Sequence, residues 1–156
     1  MEILDQSGWL WGLSLIVLTM AIHATAVVML AFVGVRIRVR LETRVLKVRN
    51  LIAIVICVVG VIGLLLAVLH GIECVIWAAA YLWLGAVDSP MDALFYSLDS
   101  MSTRGASGLT LQPPWRLMGA LEAVDGMLLF GVSTAYLFSV MQEYWAMLTA
   151  HATSKG

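Results

Sequence analysis

Residues 101–115 read MSTRGASGLTLQPPW. The stretch is polar, bears glycine and carries Arg104, yet long apolar segments flank it on both sides. The residues just before it, DSPMDALFYSLDSM (88–101), read as a short helix. Ser89 is a suitable N-cap, and Pro90 suits the first helical position, where its missing N–H costs nothing. Ala93, Leu94, Tyr96, Leu98 and Met101 supply the packing faces. A helix of about three turns followed by a Gly-containing strand forms a re-entrant hairpin. Non-helical backbone at membrane depth is stable only where protein buries it or water lines it. The polar stretch is therefore expected to line a cavity built from several copies of the chain.

Working outward, the solvent is lipid. Of 156 residues 62% are hydrophobic and 12% charged, with a mean hydropathy of +0.96. A soluble domain of this size cannot hide that much apolar surface. The first span covers roughly residues 9–35 without a charge, with Trp9 and Trp11 anchoring one interface. The second runs from near Leu51 to about Ala86 and must tilt or project from the membrane. The third covers roughly residues 115–148 and contains Glu122 and Asp125. Each is long enough to cross a hydrocarbon core of ~30 Å.

Six of the nine basic residues (Arg36, Arg38, Arg40, Arg44, Lys47, Arg49) fall between the first two spans. The positive-inside rule places them in the cytoplasm. The N-terminus is then outside, the C-terminus inside, and residues 87–114 on the outer side with Asp88 and Asp92. The acidic start, MEILDQSG, lacks the basic region of a secretory leader, so no cleavage is expected. The expectation is a multi-pass protein of the cell (inner) membrane. Residues 1–49 form an N-terminal helix and basic loop; residues 50–150 form a pore-like domain. Cys57 and Cys74 fit neither a zinc site nor a disulfide framework and read as free buried thiols.

The order helix, pore helix, Gly-containing strand, helix resembles the pore domain of tetrameric potassium channels. It is closest to small bacterial channel-like proteins with an extra N-terminal helix. HGIECVIWAAAYLWLGA (70–86) resembles their outer helix, YSLDSMSTRGASG (96–108) their pore helix and filter, and WRLMGALEAVDGMLLFGVSTAYLF (115–138) their inner helix. The resemblance implies an all-α tetramer: three transmembrane helices plus a re-entrant pore helix and filter-like loop per chain. Against a filter of the form T-x-G-Y-G-D, Thr103 and Gly105 match. Arg104 holds the variable position, Ala106 replaces the tyrosine, Ser107 the second glycine and Gly108 the aspartate. A potassium filter stacks rings of backbone carbonyls that replace the ion's hydration shell. Its glycines supply backbone angles that other residues adopt only at a cost. A full ladder of potassium sites is not expected here.

Each candidate site residue has a functional and a structural reading. On the filter geometry that the resemblance implies, Arg104 points away from the pore and pairs with Asp99 behind the filter, which offsets the cost of burying either charge. The other readings are a pore-facing ring that repels cations and a solvated vestibule. Glu122 and Asp125, three apart, share one face of the third helix. They either hydrogen-bond the pore helix or pair with Arg104 or Arg116, or they attract cations beside the pore. His70, Glu73 and Trp77 share a face near the outer interface. H-x-x-E could hold a metal, but two ligands on one helix are weak evidence, and a structural polar patch with no metal is the reading adopted. His23, mid-span, reads as a hydrogen-bonded interhelical contact, with proton sensing the alternative. Gly126 marks either a hinge or a close packing point. By the resemblance Phe130, Thr134 and Phe138 face the inner cavity.

The expected function is an ion-channel-like membrane protein that passes cations with poor potassium selectivity. The alternatives are a non-conducting sensor or partner subunit, and an intramembrane metal or proton transporter built on His70, Glu73, Glu122 and Asp125. Expected partners are further copies of the chain, inorganic ions and the bilayer, with anionic lipids at 36–49. Nothing points to an enzyme, a cofactor or nucleic acid.

Overall fold

The computed structural model describes residues 2–42, 48–105 and 108–153. Four α-helices account for most of them: α1 (Glu2–Glu42), α2 (Val48–Trp83), α3 (Pro90–Met101) and α4 (Arg116–Thr153). A 3₁₀ turn, Pro113–Trp115, leads into α4. Three stretches are long and apolar enough to cross a membrane: Ser7–Leu41, Arg49–Trp83 and Pro113–Thr149. At about 1.5 Å per residue each exceeds the ~30 Å core, so each tilts or projects.

The described residues of the basic segment, 36–42 and 48–49, are helical. Arg36, Arg38 and Arg40 ride on the last turns of α1, and Arg49 opens α2. Arg44 and Lys47 lie outside the described residues. Arg38 pairs with Glu143 at 3.3 Å.

The chain divides into two compact units. One comprises the N-terminal part up to His23 with Val68–Gly131; the other comprises Ala24–Ala67 with the chain from Val132 on. The second unit packs Leu51, Ile62 and Leu66 of α2 with Val140, Tyr144 and Met147 of α4. The first holds Trp77, Tyr81, Ala93, Met118 and Leu129 in its core, together with every candidate residue around α3.

Both helix ends that bound the hairpin close by the same device. After α2, the N–H groups of Gly85 and Ala86 donate to the carbonyls of Leu82 (3.1 Å) and Tyr81 (2.8 Å). This is a Schellman closure, with Gly85 in the left-handed region at φ 65°. After α3, Thr103 and Arg104 donate to Ser100 (2.9 Å) and Asp99 (3.0 Å). There the left-handed position is a β-branched threonine at φ 56°. Downstream, the Gln112 N–H donates to the Ala86 carbonyl at 3.2 Å, so the chain returns to where it left α2.

A left-handed threonine is strained by roughly 1–2 kcal/mol. Glycine relieves that but loses ~0.5–1 kcal/mol of backbone entropy on folding. Thr103→Gly is therefore expected to stabilise the chain by up to about 1 kcal/mol in denaturant titration. A loss of stability would show that the threonine side chain makes contacts that outweigh the strain.

Candidate functional site

The sequence predicts the start of α3 well. Ser89 is its N-cap, extended at φ −107°, and its Oγ accepts from the Asp92 N–H at 3.4 Å. The burial pattern differs from expectation. Ala93, Tyr96 and Met101 are buried, but so are Ser97, Asp99 and Ser100. Leu98, expected in the packing, is 43% exposed, with Met91 and Phe95 on the same stripe at 61% and 53%. The polar side of α3 faces its own unit and an apolar side faces out.

Asp99 and Arg104 form the expected pair at 2.7 Å, with the carboxylate buried and the guanidinium 70% exposed. Within the chain this is not the doubly buried pair that the filter geometry implied. The cation sits over the last turn of α3, where the helix dipole favours it. Such a half-exposed pair is worth ~0–1 kcal/mol. Gly105 and Gly108 are left-handed at φ 82° and 88°. Ala106 and Ser107 lie outside the described residues.

Glu122 and Asp125 are fully buried and hydrogen-bonded within the unit. Tyr81 Oη donates to Glu122 at 2.6 Å, and Ser97 Oγ of α3 donates to its other oxygen. Ser97 Oγ also lies 2.9 Å from the Cys74 carbonyl. Asp125 Oδ2 accepts from Thr19 Oγ1 at 2.6 Å and Trp77 Nε1 at 3.0 Å. The acids thus bind α1, α2 and α3 to α4, which is the hydrogen-bonding reading and not the cation-attracting one.

The patch of His70, Glu73 and Trp77 is larger than its helix suggests. His23 Nδ1 lies 2.9 Å from one oxygen of Glu73, and His70 Nδ1 lies 3.0 Å from the other. The two imidazoles stack with centroids 5.1 Å apart and planes at 21°. Thr19 and His23 are four apart on α1, and Glu73 and Trp77 four apart on α2. Matching one turn to one turn makes two layers, His23–Glu73 and Thr19–Asp125–Trp77. Trp77 serves Asp125, and Tyr81, one turn further along the same face, serves Glu122. That i, i+4, i+8 series of Glu73, Trp77 and Tyr81 was the signal by which Tyr81 could have been found.

Gly126 is a packing point. A Cβ there would fall on the backbone of Met101, at the last turn of α3. Gly119 likewise receives the Tyr96 hydroxyl. Phe130 and Phe138 are 66% and 61% exposed, and Thr134 is exposed between them. Cys74 is buried, its Sγ 3.5 Å from Met101 Sδ. Cys57, expected to be buried, is exposed on α2, as a residue facing lipid would be. No family model, curated protein or solved structure matches the chain.

Proposed function

We propose that the chain is a subunit of a channel-like membrane assembly that passes cations with poor potassium selectivity. The observation that carries this reading is the inverted polarity of α3. Its serines and Asp99 face its own unit, while Met91, Phe95 and Leu98 face out. A water-exposed helix has the opposite arrangement. At twelve residues, or about 18 Å, α3 is also too short to cross a bilayer. Its outer stripe therefore needs lipid or another copy of the chain, and its trailing loop needs a wet cavity. Several copies around an axis, a tetramer by the resemblance, meet both needs.

Poor selectivity rests on the loop's sequence, where Ala106 and Ser107 stand in place of the tyrosine and second glycine of the filter that the resemblance implies. The exposed stripe of Phe130, Thr134 and Phe138 is the surface of α4 available to an inner cavity. In this reading the assembly sits in the cell membrane with its N-terminus outside and the basic end of α1 inside.

Flux into proteoliposomes holding the purified chain tests the proposal. Passive K⁺ and Na⁺ entry at comparable rates is expected, from a species of several chains by mass measurement in detergent. Strong preference for potassium, saturable coupled transport, no flux, or a monomer would overturn it.

A further inference from the structure

We propose that His23, His70 and Glu73 form a binding site for one divalent transition-metal ion, with Zn²⁺ as its type. The inference does not depend on whether the assembly conducts.

A nitrogen of each histidine and a carboxylate oxygen of Glu73 lie within 4.8 Å of one another. Two donors come from α2 at the i, i+3 spacing, and the third comes from α1, so the ion would bridge two helices. Around a tetrahedral zinc, with bonds of about 2.0–2.2 Å, neighbouring donors sit about 3.4 Å apart. His23 Nδ1 lies 2.9 Å from one oxygen of Glu73 and His70 Nδ1 3.0 Å from the other, so whichever oxygen ligates, one histidine is already close to that spacing and the set as a whole stays within 4.8 Å. Two imidazole nitrogens and a carboxylate oxygen form a borderline donor set, suited to Zn²⁺, Ni²⁺ or Cu²⁺ and not to Ca²⁺ or Mg²⁺.

Two further observations separate this from a plain hydrogen-bonded patch. The side chain of His70 is 27% exposed while those of His23 and Glu73 are 1% and 0% exposed, so the cluster has one accessible side. Asp125, bonded to Thr19 and Trp77 one helical turn from His23 and Glu73, is fully buried. Its Oδ1 has no hydrogen-bond partner among the described residues. Three protein donors leave a fourth position on the ion for water, and a metal-bound water is a strong donor to a carboxylate.

The test uses the full chain, purified in detergent, stripped with a chelator and dialysed against Zn²⁺. One zinc per chain is expected by elemental analysis. His70→Gln and Glu73→Gln should each weaken binding by at least about tenfold, while Glu143→Gln, in the other compact unit, should leave it unchanged. No retained zinc, or equal affinity in the cluster variants and the parent, would overturn the site. Because a variant can fail to fold, Co²⁺ is added to the unmodified chain as well. Strong visible bands of a four-coordinate ion are expected, and only the weak bands of hydrated cobalt would refute the proposal.

Discussion

Replacing Gly126 by alanine is expected to destabilise the chain by about 1–3 kcal/mol or more, read by denaturant titration in detergent. The added methyl group lands on the backbone of Met101. A side chain there could swing aside, but a carbonyl at the closed end of α3 cannot, because the next residues lock it. Ser102, Thr103 and Arg104 all donate back into that last turn. The shift must therefore move α3 as a body, against Ser97 and its bonds to Glu122 and Cys74. A glycine that serves only as a bend in α4 would behave differently. Its alanine variant would melt like the parent and change only flux, and that outcome would refute the packing role.

The second large effect concerns the His23–Glu73 bond. In chelator-treated protein, His23→Leu is expected to cost about 1–3 kcal/mol, the range for leaving a buried polar group without its partner. Ordinary interhelical bonds in membrane proteins average only ~0.6 kcal/mol. The larger figure applies because Glu73 is fully buried, and lipid offers no water to replace the lost partner. Glu73→Leu alone should also destabilise, since two stacked imidazoles lose their shared acceptor. The double replacement should be milder than the sum by about 0.5–3 kcal/mol, as contacting residues are coupled. Strict additivity would mean that the two side chains do not interact.

The residues that sequence reading placed correctly are local ones. The Ser89 cap, the extent of α3 and the Asp99–Arg104 pair all fall within a few positions of each other, where helix geometry alone fixes the neighbours. The three spans follow from length and apolarity. The buried network does not. His23 meets Glu73 across 50 residues and Thr19 meets Asp125 across 106, and no periodicity in one helix specifies which turn of another it will oppose. Leu98 departs from expectation for a different reason. It was grouped with Ala93, Leu94, Tyr96 and Met101 as a packing residue, as an apolar side chain that seeks a core would be, and it alone of the five is exposed. In lipid the apolar face has no such preference, and Ser97 and Asp99 go inward because only protein can satisfy them.

The bond from Gln112 to Ala86 has a consequence for how the chain can change. It brings the two ends of the α3 excursion to one point. The end of α2 and the approach to α4 are held together at that pinch, which closes the excursion into a loop. Lengthening such a loop costs little, roughly 0.6 kcal/mol for each doubling. Added residues are therefore tolerated at its exposed positions, while Tyr96, Ser97 and Met101, which meet Gly119, Glu122 and Gly126, tie the rest of the excursion to α4.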